Sequence, residues 1–172
     1  NVVMATGVLK RVVTVQDALK LWIVCWGGNL LGSVLLSYLY NFTGLYKDAT
    51  LAAIVGSAAM KMSLPPLALF MRGLLCNYLV CLAVWCCFRS KSDSGKLIMV
   101  FWCIVIFFTA GFEHSVANMT ILTLALINNA GNETISLAGF AYNLLVVTLG
   151  NILGGALFVA VPYFIAAEEV KK

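Results

Sequence analysis

Two adjacent side chains in this sequence, Glu113 and His114, have the types and the setting for chemistry. They lie within a strongly apolar run from Ile98 to Leu122, and His114 is the chain's single histidine. Ionisable groups at membrane depth are costly and usually line a water-filled path or a binding site. Histidine can give a hydrogen bond or a proton near neutral pH. Residues 111–118 are therefore where function is expected, with Glu113 either sharing in the site or only capping backbone.

The composition indicates an integral membrane protein. The chain is 62% hydrophobic and 10% charged, with a mean hydropathy of +0.99, whereas a soluble domain carries roughly 25% charged residues. The six cysteines lie in or beside apolar segments, and their spacing fits neither a zinc site nor a disulfide framework. We expect no metal and no other cofactor. The net charge of +4 is spread over loops that flank the membrane, so nucleic acid is not an expected partner.

The apolar segments predict an all-α membrane protein. Helices are expected at about 16–40, 64–88, 97–112, 116–128 and 137–167. The third and fourth are each too short to cross a bilayer, and together they form one crossing that is broken at 111–115. Irregular backbone at that depth is tolerated only where protein or water covers it. Broken helices of this kind build the sites of transporters.

The positions of the basic residues predict which loops face the cytoplasm. Lysine and arginine precede the first helix, lie between the second and third, and follow the last, which makes these parts cytoplasmic by the positive-inside rule. The other two connections, one of which holds Lys61, then face outward. We expect a single multi-pass domain over residues 1–172 in a cell membrane, the bacterial inner membrane being favoured.

A short motif occurs twice. Residues 28–32 read Gly-Asn-Leu-Leu-Gly, and residues 150–154 read Gly-Asn-Ile-Leu-Gly, 122 positions later. The two helices that carry the motif lie three crossings apart and run in opposite directions, which is typical of an inverted repeat. Subtracting the offset places the partners of the second helix and of the break before residue 1. We therefore expect an N-terminally truncated part of a six-segment protein. The alternative is that a packing motif of small residues arose twice.

The remaining polar residues each allow two interpretations. Asn29 and Asn151 are expected to hydrogen-bond between helices, as the structural elements of the repeat. Asn77 and Asn118 are expected to support the break. Lys61 either attracts anions to a pore mouth or is an interfacial lysine that snorkels to the membrane surface.

Three stretches resemble the signatures of the formate/nitrite transporter family. Residues 111–119 read Gly-Phe-Glu-His-Ser-Val-Ala-Asn-Met, residues 73–85 read Gly-Leu-Leu-Cys-Asn-Tyr-Leu-Val-Cys-Leu-Ala-Val-Trp, and residues 147–155 read Val-Thr-Leu-Gly-Asn-Ile-Leu-Gly-Gly. They occur in the family's order, and the resemblance extends across nearly the whole chain. Residues 76–78 and 117–121 look most like the nitrite branch, and the formate and hydrosulfide branches are close.

The resemblance implies an aquaporin-like six-helix protomer with broken helices, in a homopentamer with one pore per protomer. It implies that His114 is the central pore histidine, that Phe107 forms the cytoplasmic-side constriction, and that Lys61 draws anions into the vestibule. It also places Asn77 beside the pore. Aromatic residues in membrane helices are otherwise mostly packing.

The sequence therefore favours a channel, or a proton-coupled carrier, for small monovalent anions, with nitrite first. Formate or hydrosulfide is the alternative within the family. A neutral-solute pore like the aquaporins is the alternative from another class. An enzyme that uses Glu113 and His114 as a base has little support, because no nucleophile, metal cluster or phosphate-binding loop accompanies the pair.

Overall fold

Helices account for all the regular structure in the part of the chain that is described, which confirms the all-α prediction. The computed structural model describes residues 1–45, 47–129 and 131–169. Its helices are α1 (Val2–Leu9), α2 (Val15–Phe42), α3 (Asp48–Ser63), α4 (Pro66–Arg89), α5 (Asp93–Thr109), α6 (Ser115–Ile127), α7 (Leu137–Gly155), a π-helical turn (Ala156–Ala160) and α8 (Val161–Glu169).

Three of the described helical segments are long and apolar enough to cross a membrane. These are α2, α4 and the continuous stretch Leu137–Ala167, with 28, 24 and 31 residues. By contrast, α5 has 17 residues and α6 has 13, and a crossing takes about 20. The two short helices are separated at residues 110–114, within the segment that the sequence predicts as a broken crossing.

Local sequence sets where the helices begin. The Thr14 hydroxyl accepts a hydrogen bond from the Asp17 backbone N–H at 3.1 Å, and the Asp17 carboxylate accepts one from the Thr14 N–H, forming a capping box. Ser92 caps α5 through Gly95 N–H at 3.2 Å. These side chains pair N–H groups that have no partner within the helix. Because Ser92 caps it, α5 begins at Asp93, four residues before the predicted start at 97.

The sequence does not predict α3 or α1. α3 fills the connection between the first two predicted crossings, and it buries Ala58 and Met62 against Met119 and Leu122 of α6. Its 16 residues include many small side chains, so it has neither the length nor the apolar content that reveals a membrane crossing. Lys61 consequently lies in the last turn of a helix and not in a loop.

The last predicted helix, 137–167, contains a π-helical turn at Ala156–Ala160. The turn follows the second copy of the glycine motif. Val159 and Ala160 within it are fully buried, and they pack with Val2 of α1 and Cys81 of α4. The turn therefore belongs to the packed interior, where α1 reaches the α4–α7 pair.

Glycines bring α4 and α7 into backbone contact. A Cβ atom built on Gly150 would lie 2.5 Å from the Phe70 carbonyl oxygen, and one on Gly73 would lie 2.9 Å from the Val147 carbonyl oxygen. Both distances are below those that real side chains show. Small residues allow membrane helices to approach this closely. The approach places Asn151, the residue after Gly150, directly against α4.

Several contacts follow the symmetry expected of an inverted repeat. The Trp26 indole N–H donates to the Thr148 hydroxyl at 3.0 Å, and these positions are 122 apart, which is the offset of the repeated motif. α6 packs on α2, while α1 packs on the π-helical turn and α8. An aquaporin-like fold for the whole protein stays a prediction.

Replacement of Gly150 by alanine should separate α4 from α7. We expect Gly150→Ala to destabilise the folded protein by about 1–3 kcal/mol, because the added methyl group cannot fit against the Phe70 carbonyl. Thermal unfolding in detergent measures the effect. Gly56→Ala is the matched control: among the described residues nothing lies within 4 Å of its Cβ position, so alanine should be neutral or stabilise α3 by about 0.5–1 kcal/mol. Equal midpoints for the two variants would contradict the close α4–α7 contact.

Candidate functional site

The break between α5 and α6 is held by contacts from two other helices. Gly111 has a φ of +71°, a left-handed conformation that favours glycine, and it turns the chain out of α5. The Glu113 backbone N–H then donates to the Arg72 carbonyl of α4 at 3.3 Å. α6 begins again at Ser115, with His114 as its N-cap residue.

Asn151 is the main clamp of this break. Its amide nitrogen donates to the carbonyl oxygens of Gly73 at 2.7 Å and of Glu113 at 3.0 Å. Its amide oxygen accepts from the Ser115 backbone N–H at 2.9 Å. One side chain of α7 therefore binds the backbone on both sides of His114. Because Asn151 is only 4% exposed, these bonds form away from water, where unpaired backbone groups are expensive.

The imidazole of His114 is held by its own helix and by an aromatic ring. Its Nδ1 accepts a hydrogen bond from the Ala117 backbone N–H at 3.4 Å. The ring stacks on Phe107, with centroids 6.0 Å apart and planes inclined by 29°. The neutral tautomer that matches this contact carries its hydrogen on Nε2. Nε2 is then the nitrogen that remains to donate a hydrogen bond to a solute.

Glu113 points into a different environment from its neighbour. Its carboxylate oxygens lie 2.8 and 2.9 Å from the Lys61 ammonium, and the carboxylate side chain is 1% exposed against 13% for the lysine. The Asn118 amide donates to the same carboxylate at 2.6 Å and to the Asn143 amide oxygen at 2.8 Å. Asn143 in turn donates to the Lys61 carbonyl at 2.9 Å. The ion pair therefore joins α3 to the break, and the amides tie both to α6 and α7.

A cavity of about 530 Å³ lies between α2 and α7, with the break as part of its wall. His114 and Asn77 line it, and so does Asn29. Most of the other lining residues are apolar, including Trp22 and Trp26. His114 also lines a second cavity of about 480 Å³ on the α2–α6 side. The imidazole therefore stands where two open spaces meet.

The predicted site residues fall into two groups. His114, Asn77, Asn29 and Asn151 line the larger cavity, whereas Lys61 and Phe107 are not among the described residues that line it. The Asn77 amide donates to the backbone carbonyl of Asn151 and so helps to hold the clamping residue in place.

Asn29 does not fit its predicted interhelical role in the described part of the chain. Its amide nitrogen donates to Cys25 O of its own helix at 2.8 Å, and the side chain is exposed. Its counterpart Asn151, in contrast, makes the interhelical bonds that were predicted for both residues.

Sequence reasoning missed Asn143, Ser115 and Thr148 as members of the site. Asn143 is fully buried and lies two turns before Asn151 on α7. An amide in an apolar span, on a helix that already carries a motif asparagine, was the signal available for it. Ser115 takes part through its backbone N–H, which no side-chain pattern reveals.

A family profile described as formate/nitrite transporter matches residues 1–165. The nitrite transporter NirC of Escherichia coli is 42% identical over 148 residues, which cover 86% of this chain and 54% of that protein. The formate channel FocA of Haemophilus influenzae is 30% identical over 172 residues, which cover 87% of this chain and 59% of that protein. The chain thus spans little more than half the length of these relatives.

Solved structures show the same fold. An FNT family ion channel superposes with a TM-score of 0.87 at 36% identity, over 94% of this chain and 65% of that one. A pentameric formate channel with formate bound superposes with a TM-score of 0.78 at 30% identity, over 87% of this chain and 66% of that one.

Removal of the Asn151 amide should collapse the break. Asn151→Ala leaves the Glu113 carbonyl and the Ser115 N–H without their partner, and each buried unpaired group costs about 1–3 kcal/mol. We expect a loss of about 3 kcal/mol or more, read as a lower thermal midpoint in detergent. Asn129→Ala is the control, because its side chain accepts only from Gly131 N–H in an exposed loop among the described residues, and a change within about 0.5 kcal/mol is expected there. Similar effects at both sites would contradict the clamp.

A double-mutant cycle tests the buried ion pair. Lys61→Met leaves a buried carboxylate without its cation and should lower the free energy of unfolding by about 3–5 kcal/mol. Glu113→Gln should lower it by a smaller amount. The double variant should cost much less than the sum of the two. The exposed pair of Lys96 and Asp93, also 2.8 Å apart, is the matched control and should couple by about 0–1 kcal/mol. Additive effects at Lys61 and Glu113 would show that the pair is not formed in the folded protein.

Proposed function

Because the chain belongs to the formate/nitrite transporter family, we propose that the whole protein is a membrane channel or transporter for small monovalent anions, with nitrite as its main substrate. The observation that carries the proposal is the His114 imidazole, held at a helix break on the wall of a largely apolar cavity. Relatives named nitrite transporters at 40–42% identity favour nitrite. No enzymatic step is part of the proposal.

His114 meets the anion in this mechanism. With Nδ1 accepting from Ala117 N–H, the hydrogen on Nε2 is the donor that faces a solute. An anion that has lost water in an apolar passage gains more from such a hydrogen bond than it would in bulk solvent. When Nδ1 takes up a proton, it no longer accepts from Ala117 N–H, and the resulting imidazolium can pass the Nε2 proton to nitrite. The product is neutral nitrous acid, which crosses an apolar constriction at lower electrostatic cost. Protons are then the second species that the protein handles.

Phe107 forms the constriction next to this donor. Its ring stacks on the imidazole, so a solute that reaches His114 from the α5 side passes an aromatic edge. A narrow apolar constriction in a pore admits an ion only when the ion sheds its water or its charge is neutralised. Asn77 adds an amide to the wall of the cavity near the break.

Lys61 attracts anions at the outer entrance. Its side chain is more exposed than that of Glu113, so an anion from outside meets the ammonium before the carboxylate. The pairing weakens the field of the lysine at long range, and its role is therefore local. Asn118 holds the carboxylate and keeps the pair in register with α6.

The assembly that fits this pore is a homopentamer in a lipid bilayer. One solved relative is a pentameric formate channel, and α2 exposes many large apolar side chains, including Leu31 and Leu35. Such a surface needs lipid or neighbouring protomers to cover it. We place the protein in the cell membrane, the inner membrane of a bacterium, with several crossings.

Formate is the second candidate substrate, since relatives named a probable formate transporter and a formate channel match over similar lengths. Hydrosulfide is the third. The aquaporin-like neutral-solute pore is the competing class, and it predicts water or glycerol flux that does not respond to Lys61→Ala.

Anion flux in proteoliposomes that hold the whole protein tests the function. Nitrite, formate and hydrosulfide are compared at pH 6 and pH 8, with protein-free liposomes as the reference for passive entry of the neutral acid. We expect nitrite to move fastest, and faster at pH 6, because the imidazolium form that supplies a proton is then more abundant. His114→Asn keeps a hydrogen-bond donor and removes the titrating group. It should slow flux about tenfold at pH 6, equivalent to about 1.4 kcal/mol in the barrier, and should flatten the pH dependence.

Unchanged flux and pH dependence in His114→Asn would overturn the proton role. A preference for formate or hydrosulfide would reassign the substrate and leave the pore intact. Absence of flux for all three anions, with water or glycerol transport present, would favour the neutral-solute pore.

A further inference from the structure

The end of α3 and the start of α4 meet in a corner that contains two prolines, Pro65 and Pro66. Leu64 and Pro65 are both extended, with ψ angles of 140° and 146°. In an α-helix each carbonyl accepts from the N–H four residues later, and proline has no N–H. The prolines therefore leave the carbonyls of Lys61 and Met62 without the backbone donors that a continuing helix would supply.

Side chains of α7 supply donors to this corner. The Asn143 amide donates to the Lys61 carbonyl at 2.9 Å. The Tyr142 hydroxyl donates to the Leu64 carbonyl at 2.8 Å. The last carbonyls of a helix need partners from outside the helix, and here two adjacent residues of another helix provide them. The place where α3 ends is therefore fixed by α7.

The same side of α7 also packs closely on the corner. Tyr142 and Asn143 follow Gly139 by three and four residues, so all three lie on one face of the helix. A Cβ atom built on Gly139 would lie 2.9 Å from the Sδ atom of Met62 and 3.0 Å from its Cβ atom. α7 therefore holds the last turn of α3 by close contact as well as by hydrogen bonds.

Lys61 projects from that turn toward the buried carboxylate of Glu113, whose oxygens lie 2.8 and 2.9 Å from the ammonium. A lysine side chain is a flexible four-carbon stem, so the position of its ammonium depends on where its backbone is held. Asn143 also accepts from Asn118 and so serves the amides around the carboxylate. The Tyr142 hydroxyl, in contrast, bonds only to the corner among the described residues.

We propose that Tyr142 is a positioning residue for anion capture, whose hydroxyl holds the α3–α4 corner so that the Lys61 ammonium stays fixed at the outer entrance. The inference rests on the proposed function, because it concerns the lysine that attracts anions there. Without the hydroxyl, the Leu64 carbonyl loses its donor and the corner gains freedom. The ammonium then occupies a wider range of positions, and an arriving anion is captured less well. The His114 imidazole has no contact with this corner, so the later passage step is unaffected.

Lysine labelling tests the positioning without any need for transport. The whole protein in detergent is treated with a water-soluble N-hydroxysulfosuccinimide ester, and mass spectrometry gives the labelling rates of Lys61 and Lys47. Lys47, which is exposed at the start of α3, is the internal reference. We expect Tyr142→Phe to raise the rate at Lys61 relative to Lys47 about fivefold, the factor that one lost hydrogen bond gives.

Tyr38→Phe is the matched control for the labelling, because it removes the hydroxyl of a tyrosine that is exposed on α2. It should leave the ratio of the two labelling rates unchanged. An unchanged ratio in Tyr142→Phe, or an equal rise in Tyr38→Phe, would overturn the proposal.

Flux kinetics of the whole protein in proteoliposomes test the consequence for transport. For the preferred anion, Tyr142→Phe should raise KM about fivefold and change kcat by less than about twofold, as expected when only capture is weakened. In a protein that carries both Lys61→Met and Glu113→Gln, which has no ion pair to position, Tyr142→Phe should leave KM unchanged. A general folding defect would act in either background.

Two results of the flux experiment would overturn the role of Tyr142 in a protein that does transport anions. One is an unchanged KM in Tyr142→Phe, and the other is an effect of the same size with and without the ion pair. Absence of anion flux in the unmutated protein would instead contradict the proposed function, and the capture role would be lost with it.

Discussion

The pairing of backbone groups by Asn151 is the constraint on which the rest of the site depends. A helix that stops inside a membrane leaves N–H and C=O groups without partners, and neither lipid nor a dry protein interior supplies them. Asn151 supplies three bonds from one side chain. Its reach is set by the glycine contact between α4 and α7. The spacing between α4 and α7 fixes the position of the Asn151 amide, and this amide fixes the backbone of residues 113 and 115. The position of His114 therefore depends on a helix contact in which its own imidazole takes no part.

The break also places Glu113 and His114, which are adjacent in the sequence, in two different electrostatic environments. Glu113 turns toward Lys61 and is neutralised there under a cover of amides, while His114 turns toward the cavity. No Lys, Arg, Asp or Glu side chain occurs among the described residues that line that cavity. An anion inside it would therefore meet hydrogen-bond donors and one titratable ring, and no fixed carboxylate to repel it. This division lets an acidic residue support the break without placing its charge on the cavity wall.

The sequence predicted the features that depend on composition and local order. The apolar lengths, the break before His114 and the repeated glycine-asparagine motif are all local patterns. The partners were less accessible. Lys61 and Glu113 are 52 residues apart, and only the folded chain shows that they pair and that the lysine sits on α3. α3 itself was not predicted, because its small residues and short length give a weak hydrophobic signal. Asn143 and the backbone N–H of Ser115 entered the site through tertiary contact alone.

The repeated motif shows why a sequence pattern and its physical meaning differ. Residues 28–32 and 150–154 are nearly identical in sequence. Asn29 nevertheless bonds to a carbonyl of its own helix, whereas Asn151 bonds to another helix. Neither residue type specifies a contact alone. The glycines only permit the backbone of another helix to approach, and the asparagine only pairs with backbone groups that come within its reach. The motif gains its function from an interrupted helix placed against it. For α7 that helix is the α5–α6 segment, and His114 lies at the start of α6.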